Sequence, residues 1–177
     1  MRTLGPRSIS SVFKIILEIT FVLLCLGALA YGILAMLSAM AVANPAPFSA
    51  WTYPNSRRTL LADTPREIAS VMRGALHVLG LIVVVGRLRS IFATLVAGNP
   101  FQGDNARRIR VIGLALAAIE GSNYLVWGLM ANILPETSRY LRPEIDLTGW
   151  FGIAVLFVLA EVLDEGARLR RDADLTI

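Results

Sequence analysis

The chain holds little of what catalytic sites are usually built from: one cysteine and one histidine among 177 residues. The lone cysteine, Cys25, lies inside an apolar run, so no disulfide framework and no cysteine-based zinc site can be drawn within one chain. It reads as a small packing residue. The lone histidine, His77, belongs to no Ser-His-Asp set with usable context, and the HExxH and P-loop patterns are missing too. No catalytic residue, metal site or cofactor is therefore expected, and the chain reads as non-enzymatic. Charge is also scarce, at 17% of residues where soluble domains carry about 25%.

What fills the space is hydrocarbon. Hydrophobic residues make up 55% of the chain and the mean hydropathy is +0.62. A bilayer-crossing helix needs roughly 20 apolar residues to span about 30 Å, and four stretches qualify. They run over about 15–42, 68–86, 111–134 and 147–163, the last able to continue as a helix to about 172. Asn44, Pro45 and Pro47 stop the first, Asn99 and Pro100 follow the second, and Pro135 stops the third. Asp146 and Thr148 are candidate N-caps for the fourth. The expected fold is all-α: one four-helix membrane bundle over 1–177. The start also has features of a signal peptide, with Arg2, Arg7 and Lys14 before the run and a small-x-small site at Ala41-Val42-Ala43. Signal cores are only about 7–15 residues long, so this longer run is expected to stay as a membrane helix.

The net charge of +4 is read as topology rather than as nucleic-acid affinity, and no direct nucleic-acid contact is expected. Arg2, Arg7 and Lys14 precede the first helix. Arg87, Arg89, Arg107, Arg108 and Arg110 lie between the second and third apolar stretches, and Arg168, Arg170 and Arg171 follow the fourth. These segments alternate onto one side. The opposite loops hold fewer positive charges, at Arg57, Arg58, Arg66, Arg139 and Arg142. The arginine-rich side, with both termini, is thus expected in the cytoplasm of a bacterial inner membrane. Between the second and third helices, Leu88, Ile91, Phe92, Leu95 and Val96 recur on one helical face. Either the second helix continues past the membrane or a short amphipathic cytosolic helix lies in the interface. After the break at Gly98-Asn99-Pro100, Asp104 is a plausible N-cap for a new basic helix.

The stretch Ala97-Gly98-Asn99-Pro100-Phe101, then Asp104-Asn105-Ala106-Arg107-Arg108-Ile109-Arg110-Val111-Ile112-Gly113, resembles a bacterial membrane family. So do Leu159-Ala160-Glu161-Val162-Leu163-Asp164-Glu165-Gly166-Ala167-Arg168-Leu169-Arg170 and the ending Asp174-Leu175-Thr176-Ile177. The family is the one known as domain of unknown function 2975. Its pattern has an aromatic and then a basic residue where this chain has Leu163-Asp164. The family has no established activity, but its members are often encoded beside small helix-turn-helix repressors. The resemblance therefore implies a regulatory pairing with such a cytosolic protein.

Polar residues within membrane spans are costly and are functional candidates by default. Arg73 and His77 lie one turn apart on the second helix, and Glu120 and Asn123 share a face of the third. At about 1.5 Å per residue, His77 and Asn123 come to similar depths. They are expected to form an interhelical hydrogen bond, with Arg73 snorkelling outward. Glu18 and Glu161 are expected to find cationic partners among Arg107, Arg108 and Arg110. Gly113, Ala117 and Gly121, and Gly27, Ala28 and Gly32, form small-residue faces for helix packing, compatible with a homo-oligomer. Two functions follow. In the first, a membrane-embedded module docks a cytosolic regulator through Arg107, Arg108, Arg110, Glu161, Arg168, Leu175 and Ile177. The alternative is a small transporter or channel subunit using the His77, Glu120 and Asn123 level. The topology is directly testable: in intact cells, single cysteines at Asn55 or Thr137 should react with an impermeant thiol reagent, and one at Gln102 should not. Labelling at Gln102 would overturn the orientation.

Overall fold

The computed structural model describes residues 9–43, 65–97, 103–133, 135, 138–139 and 142–174. Its regular elements are four long helices: α1 (Ile9–Ala43), α2 (Pro65–Val96), α3 (Gly103–Ile133) and α4 (Leu147–Asp174). All four are long and apolar enough to cross a membrane. The protein is thus an all-α, multi-pass membrane protein.

Each helix starts and stops where local chemistry says it should. Pro65 opens α2 at the first-turn position where its missing N–H costs nothing. Glu67 on α2 and Asp104 on α3 place negative charge at the positive end of the helix dipole. Asp104 lies inside the first turn of α3, two residues further in than the N-cap position, because the helix already begins at Gly103. At α4 the cap is Asp146: its Oδ1 accepts the Thr148 N–H at 3.0 Å, and its carbonyl accepts the Trp150 N–H at 3.1 Å. Gly149 makes room for this cap, since a Cβ there would stand 2.9 Å from Asp146 Oδ2. Arg171 occupies the last turn, facing the negative end of the dipole.

The helices are longer than the apolar stretches. Residues 87–96 belong to α2, so the second helix continues unbroken through its basic flank. The hydropathy boundaries marked where side chains stop being apolar. The backbone hydrogen-bond ladder has no reason to stop there until Gly98-Asn99-Pro100 removes helix-forming residues.

Contacts group the chain into two compact units, to both of which α1, α2 and α3 contribute. One comprises Met1–Leu24, Gly80–Ala118 and Ile145–Ile177. In it, α3 buries Ala106, Ile109, Ile112 and Gly113, and α4 buries Ile153, Ala160 and Ala167, spaced by sevens as in a packed seam. Gly113 receives the Phe157 ring so closely that a Cβ would lie 3.2 Å from it. Phe13 of α1 stacks on Phe92 of α2 with centroids 5.7 Å apart.

The second unit comprises Cys25–Leu79 and Ile119–Glu144. Ala69 and Val126 form its buried centre, with Trp127 and Met130 packed against them. Serine and asparagine hydroxyls and amides turn back on their own helices, Ser122 to the Ile119 carbonyl and Asn132 to that of Gly128, so these polar groups add no interhelical contact. Outside these seams the surface is hydrocarbon. Leu23, Leu26, Leu29 and Met36 of α1 are each more than half exposed, a patch that water would not tolerate and acyl chains cover.

The tip of the Tyr31 side chain lies against Gly74, where an added Cβ would come within 2.8 Å of the ring. Gly74→Ala should therefore lower the thermal midpoint in detergent, an overpacking cost of about 1–3 kcal/mol, although alanine is the better helix former by about 1 kcal/mol. In a Tyr31→Ala background the same change should be neutral or stabilising. Strictly additive effects would show that the ring does not occupy this notch.

Candidate functional site

The polar chemistry of the first unit is organised by three arginines, each joining a different pair of helices. Arg89 projects from the last third of α2. Its guanidinium carbon lies 4.6 Å above the Phe21 ring of α1, and Nη2 is 3.7 Å from Glu18 Oε1. The ring supplies π density and the carboxylate a counter-charge, so one cation is satisfied twice by one helix. The Phe21 ring packs over Gly86, where an added Cβ would meet it at an ordinary contact distance of 3.5 Å.

Arg108 binds α3 to α2. Its Nη1 donates to Asn105 Oδ1 at 2.9 Å and to the Ser90 carbonyl at 3.2 Å. Asn105 is 1% exposed. Its Nδ2 donates to Thr94 Oγ1 at 2.8 Å, and the Thr94 hydroxyl reaches the Ile91 carbonyl at 2.7 Å. Buried amides cost free energy unless hydrogen-bonded, and this one is bonded on both its nitrogen and its oxygen. The pair holds the end of α2 against the start of α3 on either side of Gly98-Asn99-Pro100.

Arg110 binds α3 to α4. One nitrogen, Nη2, donates to Glu161 Oε2 at 3.1 Å and to Asp164 Oδ2 at 3.0 Å. Two carboxylates three residues apart on one helix thus share one guanidinium. Glu161 is 79% exposed on its side chain, so in contact with water this pairing is screened and works chiefly as an alignment device.

The residues singled out in the sequence have different surroundings in the structure. Arg108, Arg110 and Glu161 are drawn into the interhelical contacts. Glu18 pairs with Arg89, which replaces Arg107, Arg108 and Arg110 as its expected partner. Asp164 pairs with Arg110 at 3.0 Å, and Arg168 pairs with Glu165 at 3.0 Å. Arg107 is exposed beside an open cleft. Leu175 and Ile177 lie outside the described residues. Arg73, His77, Glu120 and Asn123 all fall in the second unit and are half-buried. Among the described residues, no hydrogen bond or ion pair joins any two of them. The roles of Arg89, Thr94 and Asn105 were missed from the sequence; the signal available was a buried-type amide, Asn105, on the face shared with Ile109 and Ile112.

Four helices long and apolar enough to span a membrane, joined by arginine-mediated contacts, define a helical multi-pass membrane protein. A family model described as protein of unknown function (DUF2975) matches residues 46–177, and the chain belongs to that family. The match covers α2 to α4 and begins after α1. No curated protein and no solved structure matches the chain.

Substitutions should rank by burial. Asn105→Leu leaves Thr94 and Arg108 without their shared partner and should cost about 1–3 kcal/mol, read as a lower thermal midpoint at any salt concentration. Asp164→Asn leaves Glu161 to hold Arg110 and should cost less, with a difference from wild type that shrinks in high salt. A larger loss for Asp164→Asn than for Asn105→Leu would reverse the assigned order.

Proposed function

We propose that the chain is a non-enzymatic regulatory module of the bacterial inner membrane, with its arginine-rich end in the cytoplasm, where it holds a cytosolic transcription regulator of helix-turn-helix type. The observation that carries this reading is the form of α4. The helix runs on beyond Glu161 to Asp174, with Ala167 buried on one side and Arg168, Leu169, Arg170 and Arg171 exposed on the others. Arg110, through Asp164 and Glu161, fixes the direction of this extension from its base. A short helix aimed by ion pairs and edged by arginines around an exposed leucine suits a partner with an acidic rim and an apolar centre.

The family resemblance favours this kind of partner, and the distribution of arginines along the sequence favours this side. A hydrocarbon-embedded module with one exposed helical projection can hold a regulator at the membrane and release it when the projection is altered, without chemistry of its own. The single histidine and the lack of a nucleophile–base set favour this over an enzyme. The transport alternative lacks comparable support. It needs a polar path across the apolar layer, commonly at broken helices, whereas α1 to α4 are continuous.

The test is to read whether the adjacent gene encodes a helix-turn-helix protein and to copurify the full chain with that protein. Removing Asp174 to Ile177, or replacing Leu169 by Asp, should leave insertion and thermal stability nearly unchanged while weakening retention of the regulator about tenfold, the order of loss for a single anchoring side chain. Undiminished binding and target-gene expression in both variants would remove α4 as the docking element. A complete lack of association with wild type would remove the regulator.

A further inference from the structure

A cleft of about 260 Å³ opens in the first unit, lined by Arg87 of α2 and by Asp104, Arg107, Arg108 and Val111 of α3. Three guanidinium groups there face one carboxylate, so the cleft is positively charged. Its arginines differ from the three described above in one respect. Arg89 and Arg110 have carboxylates, whereas Arg87 and Arg107 are exposed and, among the described residues, have neither a hydrogen-bond nor an ion-pair partner. Arg108 commits Nη1 to Asn105 and Ser90, which fixes its guanidinium at the cleft wall.

We propose that this cleft binds the phosphate of an anionic phospholipid headgroup. Guanidinium groups present planar, paired donors that match phosphate oxygens. The start of α3 adds the positive end of a helix dipole to the same wall. Asp104 offsets part of the positive charge, leaving a site suited to a single phosphodiester and poorly suited to a dense polyanion.

The position favours a lipid as the source of that phosphate. Arg87 is the first charged residue after the apolar run over 68–86, and Val111 is the first residue of the apolar run over 111–134. A cleft walled by both lies where hydrocarbon gives way to headgroups, the depth at which a phospholipid carries its phosphate. The inference requires the chain to sit in a bilayer, and it stands or falls independently of any protein partner.

The full-length protein, purified from nanodiscs containing phosphatidylglycerol and phosphatidylcholine, should retain phosphatidylglycerol preferentially when retained lipids are counted by native mass spectrometry. Arg87→Gln combined with Arg107→Gln should reduce that preference about tenfold, in line with the contribution of basic residues at an anionic surface. Arg57→Gln combined with Arg58→Gln removes the same charge from a different loop and should leave the preference unchanged. The wild-type measurement stands even if a variant fails to fold, and a wild type without preference overturns the proposal. So does an unchanged preference in the Arg87 and Arg107 variant, or an equal loss in the Arg57 and Arg58 variant. Displacement of the lipid by inorganic phosphate alone would identify a soluble phosphate ligand and would equally overturn the lipid assignment.

Discussion

A guanidinium group cannot be deprotonated to escape a low-dielectric surrounding, so an arginine carried into or beside hydrocarbon either snorkels to water and headgroups or takes its counter-charge and acceptors from a neighbouring helix. That constraint orders the first unit. Arg89 takes Glu18 and the face of Phe21, Arg108 takes Asn105 and the Ser90 carbonyl, and Arg110 takes Glu161 and Asp164. Each contact joins a different pair of neighbours, α1 to α2, α2 to α3, α3 to α4. Apolar packing alone gives little directional preference between helices in lipid, because a leucine facing another helix is hardly better placed than one facing acyl chain. Polar contacts of fixed geometry set the register in its place, and the missing side chain at Gly113 lets Phe157 of α4 pack close against α3 beside the Arg110 contacts.

Helix number and most helix ends were legible in the sequence because they depend on local composition. The run after Asp146 showed its cap, Pro135 and Gly98-Asn99-Pro100 showed their breaks, and α4 could be followed past its apolar run because nothing in Leu163 to Asp172 interrupts a helix. The choice of ionic partners was not legible. Asp164 stands four residues from Arg168, the spacing that favours a pair on an isolated helix. A pair within one helix is worth only a few tenths of a kcal/mol, and Arg110, arriving from α3 where Glu161 already points, captures Asp164 as well. Asp164 thereby gives Arg110 a second carboxylate.

The same limit explains Glu18. Its side chain and those of Arg107, Arg108 and Arg110 lie toward one end of their helices by residue counting, and counting alone gives depth without azimuth. Which of several arginines at one depth meets a given carboxylate depends on helix rotation, and here rotation places Arg89, with Phe21 beside it, in front of Glu18. His77, Glu120 and Asn123 fail in the same way. They were matched by depth, yet depth agreement does not turn two side chains toward each other.

An arginine-rich flank is ordinarily read as a block of charge that keeps one side of a membrane protein in the cytoplasm. In this chain the block divides by what each arginine touches. Arg89, Arg108 and Arg110 are committed to neighbouring helices, so replacing any of them alters helix register before it alters surface charge. Arg87 and Arg107 are committed to nothing within the described residues and still stand within one or two positions of the committed ones. On a helix, adjacent residues point about 100° apart, so alternation between inward pairing and outward exposure follows from geometry once Arg108 and Arg89 have turned inward. Pairing the inner arginines therefore fixes where the outer ones lie, and the charge that remains exposed is positioned by the same contacts that hold α2 to α3.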